Sequence, residues 1–269
     1  MSCSLIVHST FRKLSQSCRR NKRGPRLAHR LALWFPGAQS VLSFVDVVWS
    51  RRSASLSGTS MKYPGRRFKS LAHAFKEIEP HVRTGKPLQT GKPFGNFARM
   101  LPREVLANLL ICAVGNFESE PERFRLAGLD DPIGGDGVIE DSATEETFPT
   151  EHVLVPDLKG GAAGDIQALI LGQIALKQAK GEAAYAGGKT LVVFVNAEGG
   201  PWFPNRVAKS LPTPLDFAAV WVVGLHGVEN GEYSYNVMQL DREAGVADIW
   251  RVRIAADFNS WQVERVQCR

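Results

Sequence analysis

Lysine and arginine are missing from residues 126–158, a stretch that holds nine carboxylates: Asp130, Asp131, Asp136, Glu140, Asp141, Glu145, Glu146, Glu151 and Asp157. Charge of that density is solvated, paired with cations distant in sequence, or bound to metal. Acids are missing in turn from residues 1–60, where ten Lys and Arg face Asp46 alone. The remaining residues carry 23 basic groups against 26 acidic, so the net charge of +6 belongs to the leader. The sequence also lacks any C-x-x-C pair. Cys3, Cys18, Cys112 and Cys268 are far apart, which excludes a clustered structural zinc site and a disulfide scaffold and implies reduced thiols in a cytoplasmic setting. An uninterrupted apolar run of membrane length is absent too: the best, LALWFPGAQSVLSFVDVVWS, is broken by Pro36, Gly37 and Asp46, which excludes a membrane span.

What is present is a chain of 269 residues that is 44% hydrophobic, enough to bury a core. Residues 1–60 read either as a disordered or non-native extension ahead of Met61 or as an Arg- and Ser-rich transit peptide. Residues 61–100 form a basic lead-in: over residues 61–103 there are ten basic groups against Glu77 and Glu79. Residues 101–269 carry the pattern of an α/β domain.

Within that domain PREVLANLLICAVGNF (102–117) predicts a buried helix ending near Gly115, with Leu106, Leu110, Ala113 and Phe117 on one stripe. Strands follow at 137–141 (GVIED) and 150–155 (TEHVLV), a hairpin with an acidic tip. Residues 164–181 predict a second helix, with Asp165 near its start and Gly181 just past its end. TLVVFVNA (190–197) and AAVWVVGLH (218–226) are continuous apolar runs, as expected of central strands covered on both faces. EYSYNVMQLD and WRVRI add strands near the C-terminus, and the Gly- and Pro-rich stretch 199–214 reads as a loop pinned by Trp202 and Phe203.

Two glycine motifs fail as phosphate-binding loops. AYAGGKT (184–190) ends in Gly-Lys-Thr, but position 183 is alanine and a strand follows where a helix is required. The glycines of GGAAGD (160–165) are explained by a tight turn into the second helix. The hairpin is the stronger constellation. Asp136 and Glu151, on neighbouring strands, offer the paired hard oxygens that Mg²⁺ or Mn²⁺ requires, with water completing the shell.

In this respect the sequence resembles the PD-(D/E)xK, or restriction-endonuclease-like, nuclease superfamily, over roughly residues 101–225. The resemblance implies an α-β-β-β-α-β core with a mixed central sheet, extra C-terminal strands beyond it, and Asp136 and Glu151 as catalytic metal ligands. The family's lysine position, two residues after the second acid, is Val153, so Glu151-His152-Val153 resembles a variant in which the following helix supplies the cation. Lys177 lies about three turns beyond Ile166 along the apolar stripe of Ile166, Ile170 and Ile174, and Lys180 one turn further, which makes both candidates for that cation. Against this stands the simpler reading of favourable last-turn charge. Gln167 is a lesser candidate. His152 is expected on the opposite strand face from Glu151, Glu104 as a solvated helix-start acid, and Asp130, Asp131, Asp141, Glu145 and Glu146 as solvated loop charge. The basic segment 61–103, interleaved with Tyr63, Phe68, Phe75, Phe94 and Phe97, offsets the acidic pocket toward a nucleic-acid partner, DNA in the first instance. The function expected is metal-dependent phosphodiester hydrolysis; the alternative is a catalytically silent nuclease-like module that binds nucleic acid or a protein.

Overall fold

A computed structural model describes residues 68–127, 136–156, 165–180, 182–196 and 201–266. The leader, Lys62, Tyr63, Arg66, Arg67, Asp130, Asp131, Asp157, the glycines of 160–164 and Gly181 lie outside the described residues. The chain is a mixed α/β protein built on one nine-stranded sheet whose strands follow chain order. The strands are β1 (Phe68–Lys69), β2 (Phe124–Ala127), β3 (Gly137–Asp141), β4 (Glu146–Val155), β5 (Thr190–Val195), β6 (Ala219–Glu229), β7 (Glu232–Asp241), β8 (Val246–Ile254) and β9 (Trp261–Arg265). Pairing is antiparallel from β1 to β4, parallel from β4 through β5 to β6, and antiparallel again to β9.

The two parallel pairings are central, and their sequences show why. Along β5, Leu191 and Val193 enter one apolar core while Val192 and Phe194 enter the other; along β6, Val220 and Val222 oppose Trp221 and Val223 in the same way. A strand covered on both faces needs apolar residues at every position, the unbroken run seen in the sequence.

One face is covered by α1 (Leu71–Thr84) and α3 (Pro102–Glu118), joined through the short α2 (Lys86–Thr90). Ser70 caps α1, its hydroxyl accepting the His73 N–H, and Gly85 closes it at φ +71°, a conformation that only glycine adopts without strain. Leu71, Phe75, Ile78 and Val82 of α1 join Leu106, Leu110 and Ala113 of α3 in one core. The predicted stripe on α3 is corrected at its end: Phe117 is 49% exposed, because the helix runs to Glu118, past the sheet it covers. Glu118 itself accepts a hydrogen bond from the Trp250 indole at 2.6 Å, fastening α3 to β8.

The opposite face is covered by α4 (Ile166–Ala179), followed by the short α5 (Glu182–Ala186), and by α6 (Pro204–Lys209). Asp165 caps α4 by accepting the Ala168 N–H, and Ile166, Ile170 and Ile174 are buried as the stripe predicts. The loop expected at 199–214 contains α6, whose Val207 and Ala208 fill the second core beside the buried Trp202; Phe203 is half exposed under the Arg206 guanidinium and pins nothing. Helices on both faces of a mixed sheet set the frame for the acidic hairpin, which lies where β3 and β4 meet the first parallel strand.

Candidate active site

The β3–β4 register pairs Gly137 with Thr150. Asp136 lies one residue before the paired register, where its N–H donates to the Thr150 carbonyl at 2.8 Å, so the two acids singled out from sequence stand at the same end of the hairpin. Gly137 makes this approach possible: a Cβ there would meet Met100 Cε at 2.8 Å and Asn108 Nδ2 at 2.9 Å. Asn108 in turn donates to Thr150 Oγ1 at 3.1 Å from within the core. Helix α3 thereby sets the height of both strands at the acid pair.

Strand alternation separates the neighbours of Glu151. Val153 and Val155 pack with Glu151 toward α4, whereas Leu154 packs toward α3. Val153 thus occupies the strand face from which a lysine would reach Glu151, and carries no charge. The cation comes from the helix: the Lys177 ammonium bonds to Glu151 Oε1, with side chains 17% and 7% exposed respectively. Lys180 does not reach that carboxylate. It caps the exposed end of α4, and its ammonium lies 5.6 Å from the Tyr185 ring centroid. The reason is rotation: three residues turn about 300° around a helix axis and rise a further 4.5 Å, which carries Lys180 past the β4 edge.

His152 points away from Glu151, as the alternation requires, and is buried beneath α3. Its backbone N–H donates to Asp136 Oδ2 at 2.9 Å. Its Nδ1 lies 3.5 Å from the same oxygen, too long to count as a hydrogen bond. Burial alone would raise the Asp136 carboxyl, but the contacts with His152 and the charge of Lys177 hold it below the ordinary carboxylate range. Glu104 corrects its expectation: it is 7% exposed rather than solvated, and its carboxylate accepts the Leu101 N–H at 2.7 Å. Burial pushes its pKa up, with the Asp136 charge adding to the shift and His152 opposing it.

Asp141 is a second correction. It is buried, and Arg123 grips it with two bonds of 2.8 and 2.6 Å. Glu145 and Glu146 are exposed as expected, and Gln167 is half-buried without a place at the acid pair. Much of the basic lead-in is consumed internally: Lys69 pairs with Glu77, and Lys76 and Arg83 with Glu79, while Phe75 and Phe97 are core residues.

One residue was not legible as part of the site. Burial and the nearby Glu151 and Asp136 carboxylates raise the pKa of Tyr185. The only sequence signal was proximity to Lys189 in a segment dismissed as a failed phosphate loop. Among the described residues no group of three or more His, Cys, Asp and Glu is arranged to hold a metal ion. The chain has no matching family model, curated protein or solved structure.

Proposed function

We propose that the Asp136–Glu151 pair is the centre of a nuclease-like site that hydrolyses phosphodiesters in nucleic acid with a divalent metal, in a divergent restriction-endonuclease-like core. The observation that carries this reading is the Lys177–Glu151 contact: the family's three charges, two acids and one lysine, are present together although Val153 has lost the lysine's usual position. The run of elements α3-β2-β3-β4-α4, then α5 and β5, with β4 and β5 parallel, is in keeping with it.

The donor set fits Mg²⁺ or Mn²⁺. Both are hard cations that take one or two carboxylates and keep several waters, or substrate phosphate oxygens, in the remaining positions. Asp136 favours its ionised form, as a ligand must. Asp136 and Glu151 would hold the metal, which when bound supplies Lewis acidity and a more acidic water. The chain's own contribution is electrostatic and positional. Lys177 places a fixed positive charge where negative charge gathers on the phosphoryl oxygens as a water oxygen attacks phosphorus and the bond to the leaving oxygen breaks. The His152 N–H holds Asp136, and Lys177 holds the Glu151 carboxylate.

The catalytically silent module has one observation in its favour, the lack of a third ligand among the described residues. Incubating the full chain with supercoiled plasmid and with single-stranded DNA, in Mg²⁺ or Mn²⁺ and in chelator, beside Asp136→Asn, separates the two. Metal-dependent cleavage that falls at least 10²-fold in the variant is expected. Binding without cleavage under every metal condition would leave the silent module.

A further inference from the structure

The segment AYAGGKT was set aside because its glycines and lysine do not form a phosphate loop. In the structure it nevertheless delivers two residues to the edge of the acid pair. Tyr185, on α5, stands within the electrostatic reach of Glu151 and Asp136. Lys189, in the turn before β5, lies with its ammonium 4.3 Å from the centroid of the Tyr185 ring. Lys180, at the end of α4, approaches the same ring to 5.6 Å. Lys189 is next to Thr190, which pairs with Thr150 across β4 and β5, so the cluster opens at the end of the sheet that carries Asp136 and Glu151.

Two features set this cluster apart from ordinary surface lysines. Neither Lys180 nor Lys189 takes part in an ion pair among the described residues, in contrast to Lys69, Lys76 and Lys177. Both are gathered on one aromatic ring, an arrangement that limits the space their charges sample and offsets part of their mutual repulsion. Two oriented cations therefore stand beside two carboxylates, and a polyanion approaching the acid pair needs such cations to offset the repulsion it meets there.

We propose that Lys180 and Lys189, ordered on Tyr185, form the subsite for the backbone phosphates that flank the scissile one on the substrate strand. The ligand is a nucleic-acid backbone, read through its phosphates and not its bases, and Tyr185 is a positioning residue that gathers the two lysines. The inference rests on the reading of the acid pair as a nucleic-acid hydrolase site and adds the track that presents the strand to it.

The test is binding of a fluorescein-labelled 20-nucleotide single-stranded DNA by the full chain in chelator, followed by anisotropy over a range of salt concentrations, so that it does not depend on turnover. Each phosphate neutralised on a single strand contributes about 0.7 to the log–log salt slope. Lys180→Gln with Lys189→Gln is expected to make the slope shallower by about 1.4 and to weaken binding several-fold. Arg253→Gln, at the opposite end of the sheet, is expected to leave the slope unchanged. Tyr185→Phe is expected to keep the binding slope, because it retains the ring on which both lysines rest. Wild-type slope in the double lysine variant, with cleavage intact, overturns the inference alone. No DNA binding and no cleavage by the parent chain overturns both it and the hydrolase reading, and a lowered slope without cleavage sustains the track while removing the hydrolase reading.

Discussion

Single residues show how similar carboxylates come to different ends. Glu145 and Glu146 sit in solvent, whereas Asp141, in the same hairpin, is buried against Arg123. Burial acts to raise the Asp141 carboxyl, but the Arg123 bonds and the Ala143 N–H outweigh it and hold its pKa below the ordinary value. A lowered folded-state pKa stabilises the protein above the unfolded-state pKa, near 4, and the contribution is lost as pH falls through the lowered value. Asp141→Asn breaks the buried ion pair with Arg123 and is expected to cost about 3 kcal/mol at pH 7. Denaturant melts at pH 7 and at progressively lower pH check this: the gap between variant and parent closes as the parent's Asp141 protonates. A gap that stays constant with pH would mean that Asp141 contributes through packing and not through charge. Cys112 has no comparable role; burial pushes its thiol well above the usual range, which keeps it unreactive.

At the level of elements, the hairpin, the central strands and helices α3 and α4 were legible because their patterns are strong: continuous apolar runs for β5 and β6, a clean isoleucine stripe for α4, a long apolar segment opened by Pro102 for α3. The place of Glu151 on β4 follows from the same strand pattern. Other elements were not: β1, β2, β9 and α2 are five residues or fewer. Helix α1 was hidden under the positive charge of residues 61–103, although Leu71, Phe75, Ile78 and Val82 repeat at helical spacing. Helix α6 was masked by the Gly and Pro around it, and α5, with Tyr185, is too short to show a period. Charge signals affinity for a partner only when the cations are free, and Glu77 and Glu79 sit on α1 to pair three of them. A chain shortened to begin at residue 101 loses seven large buried side chains, Leu71, Phe75, Ile78, Val82, Leu88, Phe97 and Met100, each worth about 1.5–3 kcal/mol, against a total stability of order 5–15 kcal/mol. It is expected to show no cooperative thermal transition by circular dichroism, whereas the full chain melts sharply. A sharp melt of the shortened chain would show that α1 is an accessory to the fold and not part of it.

Across the whole molecule, the layers divide the labour of the proposed site. The α3 layer holds Asp136 and His152 in place from below, through Asn108, Thr150 and the constriction at Gly137. The α4 layer supplies the positive charge from above. No helix among the described residues is long and apolar enough to cross a membrane. Delivery of the lysine from the helix layer instead of the strand is the centre of the account, because Glu151 and position 153 share one strand face and either origin brings an ammonium to the same carboxylate. Moving the lysine back therefore tests it most directly, by comparing metal-dependent cleavage of plasmid DNA by the parent chain, by Lys177→Met, and by Lys177→Met combined with Val153→Lys, each confirmed as folded by its thermal melt. Loss of about 10²–10³-fold in Lys177→Met, with at least tenfold recovery in the double variant, is the expected result. Full activity in Lys177→Met, or a parent chain that never cleaves, would contradict it.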